Sequence, residues 1–597
     1  MGIFLLLLGL VLWNQRRSGA FVDEFGGHPD EAGHFVSSLM IQDYVKQLPG
    51  EDSERLVHPK RFAEKFHEHY PKVAIGNWPP GFHLLHAVWM LVFPPGQGSV
   101  FILMALLSAA LAQMIFLSAR SHAGKGWALA AALLFVVLPI VQKYSSLMMT
   151  EMLMGLLVFS AVLTYARFLE TNSWRWSLGF SVLASAAILV KGSGLALGLM
   201  PPLAVLLLRR WSLLKTAAFW IPAAVVGLLC TPWYVYTLDI AKGGWEEDSP
   251  SLHFFLKASR YVVTKLMETG GPVILLMVFL GLAKSCFARK GPRNGPGNDD
   301  KEKSCFFPVL AILLLSVPIF HCIIPAGKEH RHLIPMLPAF VIFAVMGMRE
   351  LCEKLSREDT FFNQRRARWV LGLLGLAGMF LMGKPFYSKG FSGFRPIVTE
   401  LYKVEDWSGP ILISSDASGE GMFVAEAALA DRYRVSRKVH RASKVLGDSR
   451  WSGAGYKTRY EDEAGLRELL KKGRYWAIVV DESVSKARPD KYKAHMRDLE
   501  NLCRELQYAE RHPLVRGGKK HDGGIVLYRN PMFAVGELPS PEAADLPAGE
   551  ADTPEKKTIE DDVPPAETAE EEKVEGDTPP AESPEEDKAP GPNPVKD

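Results

Sequence analysis

The sequence predicts a polytopic α-helical membrane protein that carries a C-terminal α/β domain and a disordered acidic tail. Three observations predict it. Ten long apolar stretches lie between residues 99 and 384, Lys and Arg are spread unevenly over the loops joining them, and after about residue 396 short β-rich runs alternate with amphipathic helices. The formal net charge of +3 hides a split. From Glu537 to the end there are 20 acidic and 5 basic residues, which leaves +18 on Met1–Gly536. A basic, apolar body argues against an ordinary soluble enzyme. It does not call for nucleic acid either, because membrane proteins gather Lys and Arg in cytoplasmic loops. The six cysteines (230, 286, 305, 322, 352 and 503) show no CxxC or Cys/His ligand spacing, so neither a zinc site nor a disulfide framework is indicated.

The opening GIFLLLLGLVLW is short. Twelve residues at ~1.5 Å each reach only ~18 Å of a ~30 Å hydrocarbon core. It reads either as a first span or as a signal-peptide core, with Ser18-Gly19-Ala20 a weak cleavage site and no positive charge before it. Both readings place the loop from Asn14 to about Pro80 outside the cytoplasm. Further spans are expected at 99–119, 126–141, 147–169, 176–190, 193–208, 214–238, 272–288, 306–324, 333–349 and 368–384, about eleven with the first. With that loop outside, the cytoplasmic connections carry 19 Lys and Arg and the outer connections 8, which fits the positive-inside rule. The chain after Lys384 therefore lies outside too.

That outer C-terminal part, 396–530, contains GPILISSD, YWAIVVDES and GIVLYRN, β-branched runs bounded by Gly, Asp or Ser. Between them EDEAGLRELLKKG and KYKAHMRDLENLCRELQ space their apolar residues by three and four. The alternation predicts a small α/β domain with a largely parallel sheet. Its SSDASGEG turn matches no phosphate-loop pattern and reads as an ordinary strand-to-helix turn. The remaining 531–597, with the repeated PPAETAEEEK and PPAESPEEDK, has too few apolar residues to offset the entropy of ordering. The chain thus divides into a membrane domain (1–390), a soluble α/β domain (396–530) and a tail (531–597).

Chemistry concentrates on the outer face. The first outer loop holds Phe25-Gly-Gly-His-Pro-Asp-Glu-Ala-Gly-His34, where Asp30 and Glu31 follow Pro29 and fall in the first turn of a helix. Acids there complement the helix dipole at ~0.3–1 kcal/mol, which is the bland account of the pair. Trp78 in Asn77-Trp-Pro-Pro suits an interfacial turn. Glu151 opens a span, Lys191-Gly-Ser-Gly194 forms an outer turn, Trp233-Tyr234 ends a span, and Lys328-Glu-His-Arg331-His332 precedes another. Charges at span ends often only snorkel. Gathered on one face, they are functional candidates.

The order of these motifs resembles the GT-C glycosyltransferases, in the branch of protein O-mannosyltransferases and the lipid A aminoarabinose transferase. The resemblance covers about residues 1–385. It implies a polyprenyl-phosphate-linked sugar as donor, and a hydroxyl on a lipid, glycan or protein as acceptor outside the cytoplasm. It also implies Asp30 as catalytic base with Glu31 completing the acid pair, and Lys191, Lys328 and Arg331 as donor-phosphate contacts. His34, Trp78, Glu151, Trp233 and Tyr234 are expected to line the substrates. His332 stands where the family has Tyr. No metal site is predicted, and the sequence leaves a divalent-metal requirement open. The chemistry is consistent with these residues. A carboxylate can take the acceptor proton, for ~10²–10⁴ in rate, and a departing phosphate needs cations, which Arg supplies bidentately. The expected protein is an integral glycosyltransferase of the inner cell membrane with an extracytoplasmic site and no nucleic acid partner. The rival readings are a lipid-linked-sugar flippase or transporter and an O-antigen ligase or polymerase. The first is disfavoured because no internal symmetry is visible and the acids sit in a loop.

Overall fold

The computed structural model describes residues 1–48, 58–74, 76–242, 251–287, 304–324, 328–358, 387–404, 409–432, 436–449, 455–506 and 509–529, with 372, 377 and 378. The expected span at 368–384 and the expected tail at 531–597 lie outside these residues apart from those three. Among the described residues six helices are long and apolar enough to cross a membrane: Gln97–Ala123, Glu151–Thr171, Ala217–Tyr236, Leu252–Cys286, Phe306–Ile323 and His330–Lys354. Shorter apolar helices, Trp174–Val190 and Gly192–Leu208, pack among them.

Several predicted spans are modified by Pro and Gly. The stretch read as 126–141 is two helices, Lys125–Val137 and Pro139–Ser145, bent by 64°, because Pro139 brings no N–H to continue the ladder. The span read at 272–288 is the second half of a longer helix, Leu252–Leu282. That helix kinks at Gly271 (φ 67°) ahead of Pro272. Its first half carries Lys257, Arg260 and Lys265, so this stretch is helical where the sequence suggested an outer connection. The opening segment forms one helix, Gly2–Ser18, ended by Gly19 in the left-handed region. Its buried Gln15 donates from Nε2 to the carbonyls of Phe101 (3.0 Å) and Ser145 (2.7 Å), which makes the helix an integral part of the bundle.

In the C-terminal part, strands β1 (Phe391–Ser392), β2 (Ile411–Ser414), β3 (Val439–Arg441), β6 (Ala477–Asp481), β7 (Glu510–Arg516) and β8 (Lys519–Arg529) form one sheet in the order β1-β7-β8-β6-β2-β3, and β4 (Gly447–Asp448) with β5 (Lys457–Thr458) forms a separate ribbon. β2 runs parallel to β3 and β6, but β6/β8, β8/β7 and β7/β1 are antiparallel. The sheet is mixed, which corrects the expectation of a largely parallel one. The β7–β8 hairpin turns on Gly517-Gly518, both at positive φ, as tight hairpins require. Both sheet faces are covered. Ile411, Ile413 and Val479 join the core that runs into the helical bundle, while Leu412, Ile478 and Val480 join a second core beneath Leu466, Leu470 and Leu499. Such two-sided burial explains why β2 and β6 read as continuous apolar runs. On the bundle side, Ala417–Ala430 packs against Glu31–Gln47. Residues Met1–Gly536 form one compact unit.

Candidate active site

Asp30 is the N-cap residue of the helix Glu31–Gln47, yet its side chain makes no capping bond. Its carboxylate turns instead to Arg331, whose Nη2 donates to Oδ2 at 2.8 Å. His28 stands beside it: Asp30 N–H donates to His28 Nδ1 (3.1 Å), and His28 Nε2 faces Glu329 Oε2 at 3.3 Å. Arg331 Nη2 also donates to Glu329 Oε1 (2.9 Å), and its Nε lies 2.7 Å from Glu329 Oε2 and 3.5 Å from Glu151 Oε1 as ion-pair contacts. Glu151 in turn accepts from Lys191 Nζ at 2.8 Å. One guanidinium thus joins three acids that the sequence places 121 residues or more apart or in its own loop. Lys191 adds a second cation.

Local chain breaks supply this geometry. Arg331 lies in the 3₁₀ turn His330–Met336 that leads into Leu337–Glu358, and Lys191 lies between Trp174–Val190 and the 3₁₀ helix Gly192–Leu199. Glu151 begins its helix, where a negative charge complements the dipole. Burial would raise the Asp30 carboxyl, but the charges of Arg331 and His28 outweigh it and hold the group below its ordinary value. Burial likewise opposes ionisation of Glu329, but the His28 hydrogen bond and Arg331 bring it down to about 2. Among the described residues no hydrogen bond reaches Asp30 Oδ1, and the side chain is 23% exposed. A lone-pair edge is therefore open to an incoming hydroxyl.

Glu31, its neighbour, is enclosed. The side chain is fully buried; Oε1 accepts from Lys389 Nζ (2.7 Å) and Met148 N–H (3.1 Å), and Oε2 from Gly27 N–H (3.0 Å). The Gly26-Gly27 pair passes where a Cβ would meet the side-chain ends of Met422 and Leu147, so a larger residue there would displace both.

Trp78 lies over Gly33 and stacks on His34 with ring centroids 4.2 Å apart. His34 Nδ1 meets His83 Nε2 at 3.1 Å. Burial, with the neighbouring His83 and Arg331, pushes His34 well below its ordinary value, so it is a neutral imidazole forming one wall. The Lys328 ammonium lies 4.0 Å from the Phe254 ring centroid. It borders a narrow cleft with Tyr261, Glu329, His321 and His332. His321 and His332 stack in parallel at 4.9 Å and also line a second, more apolar cleft that includes Ser193 and Leu197. Tyr234 donates to the Ile188 carbonyl (3.1 Å) and backs the Lys191-Gly192 turn, where its hydroxyl lies 3.4 Å from a Cβ built on Gly192. Trp233 is half-buried, and its carbonyl accepts from Thr237.

Sequence reasoning assigned no role to His28 or Glu329. Both lie within motifs it singled out, two residues from Asp30 and Arg331, and that proximity was the available signal. His28, Asp30 and Glu329 each offer one ligand atom within 4.8 Å of the others and could hold a cation. Arg331 already bonds both carboxylates.

An apolar helical bundle bearing such a cluster at one end, with a C-terminal α/β part packed against it, is the GT-C type of membrane fold, and comparison with solved structures shows that fold. ArnT from Cupriavidus metallidurans bound to undecaprenyl phosphate is similar with a TM-score of 0.52 and 14% identity, over 90% of this chain and 99% of that one. Its apo form gives 0.51 at the same identity and coverage. Residues 77–236 match the family described as dolichyl-phosphate-mannose-protein mannosyltransferase. That stretch includes Trp78, Glu151, Lys191 and Tyr234. No curated protein matches the chain by sequence. The chain therefore resembles the mannosyltransferase and aminoarabinose-transferase branch to which its motifs pointed, and it is an integral membrane protein.

Proposed function

We propose that this protein is a glycosyltransferase that moves a sugar from a polyprenyl-phosphate donor to an acceptor hydroxyl at the extracytoplasmic face of the inner membrane. The observation that carries this reading is Asp30: a carboxylate bound on one oxygen by Arg331 and open on the other, at one end of a membrane bundle. In the proposed step the acceptor oxygen attacks the anomeric carbon while the bond from that carbon to the phosphate oxygen breaks, with inversion. The acceptor proton passes to Asp30 Oδ1. The phosphate leaves as an anion toward Arg331 and Lys191, so no general acid is needed.

Arg331 also sets when the base is strong. Without donor it bonds Asp30 and keeps it a weak base. A donor phosphate competes for the guanidinium, and Asp30 then gains proton affinity as substrate arrives. Glu151 holds Lys191 and Arg331 on one side. The family description, which names a lipid-phosphate mannose, and the neighbour bound to undecaprenyl phosphate support the donor class. The Lys and Arg bias supports the outer face.

The test uses purified protein in liposomes with radiolabelled polyprenyl-phosphate sugars and a mixture of lipid, glycan and protein acceptors. Label appearing on an acceptor is the expected result. Label crossing the bilayer without transfer would identify a flippase instead.

A further inference from the structure

We propose that Lys389 is a positioning residue for Asp30, so that the segment leading into the α/β part helps to build the active site. The proposal rests on the reading of Asp30 as the base. Lys389 follows the last apolar stretch in sequence and meets Glu31, with both side chains 0% exposed and Nζ 2.7 Å from Oε1. Its backbone N–H donates to the Ser18 carbonyl at 2.8 Å. Its ammonium lies over the rings of Phe101 (4.7 Å) and Phe25 (5.4 Å).

The arrangement reaches both sides of the acid cluster. Glu31 directly follows Asp30, so fixing one carboxylate fixes the backbone of the other. The same Glu31 takes the Met148 N–H, three residues before Glu151, which contacts Arg331 and Lys191. Lys389 therefore bears on the base, through the carboxylate whose backbone adjoins it. Stability alone is a poor reason to keep such a pair, because two desolvated charges are often no better than well-packed apolar side chains. Geometry is a better one, since a displacement of ~1 Å at a reacting group can cost ~10²-fold in rate.

The test compares wild type with Lys389→Met in detergent, with turnover expressed per folded molecule, monodisperse by size exclusion. A positioning role predicts that kcat falls about ten-fold or more while donor KM stays within about two-fold. An unchanged kcat, or equal losses in kcat and donor affinity, would overturn the proposal in favour of a purely structural pair. If Lys389→Met does not accumulate, the double variant Glu31→Gln/Lys389→Met is read by the same criteria. It leaves no charge buried, yet it offers one amide oxygen to two backbone N–H groups. Asp30→Asn is assayed in parallel: if it keeps its turnover, the base assignment itself has failed, and that result is distinct from a failure of Lys389.

Discussion

Of the two acids that begin the Glu31–Gln47 helix, Asp30 keeps an edge toward solvent and Glu31 has none. A base must meet its substrate, so the environments favour Asp30 for proton transfer and leave Glu31 as its anchor. Adjacent letters in a sequence do not distinguish these roles. The difference comes from Lys389, 358 positions away. Arg331 carries two expectations. Replacing it with Lys keeps the charge but loses the planar fork, so donor KM should rise about ten-fold with insertion intact. An unchanged KM would make the guanidinium a structural tie among Asp30, Glu151 and Glu329. The second concerns pH. kcat/KM reports groups in the free enzyme and kcat those in the complex. If donor phosphate draws Arg331 away, the acid limb of kcat should lie at higher pH than that of kcat/KM. Coincident limbs would show that Arg331 never releases the base.

At the scale of elements, the loop before the Glu31–Gln47 helix is tied to the C-terminal part by a second carboxylate. Glu24 accepts the N–H groups of Gly393, Phe394 and Arg395 at the start of the helix Phe394–Leu401. Burial and the nearby Glu426 carboxylate push it up to about 7, despite those three donors. A raised carboxyl pKa means that the native state binds the proton more tightly. Its contribution is therefore complete below the ordinary carboxyl range and lost as pH rises through about 7. Thermal stability in detergent should fall between about pH 5 and about pH 8, and Glu24→Gln should flatten that fall. A variant with the wild-type slope would remove Glu24 as the cause. The helix after Pro29 was legible from sequence because Pro and the acids mark a helix start. Strands β2 and β6 were legible because both faces are buried. β7 was not: Glu510–Arg516 is polar and largely exposed, so nothing in its pattern distinguishes it from a loop. The hairpin signal at Gly517-Gly518 was there to be used.

At the scale of the whole molecule, the C-terminal α/β part, the loop and the bundle share one core, so the site is assembled from segments that begin at residue 28 and end at residue 389. The sequence could supply the candidates and their common face, because span ends and charge bias are local signals. It could not supply the pairings, which depend on how broken helices cross. The topology makes its own prediction: reporter fusions at Gly295 and just after Lys384 should give opposite signals, and matching signals would contradict an outer site. The central claim is tested most directly by Asp30→Asn in reconstituted transfer. The amide keeps the shape of the side chain but has almost no basicity. If Asp30 is the base, kcat should fall ~10²-fold or more with donor binding and expression little changed. Near-normal turnover in that variant would contradict the account.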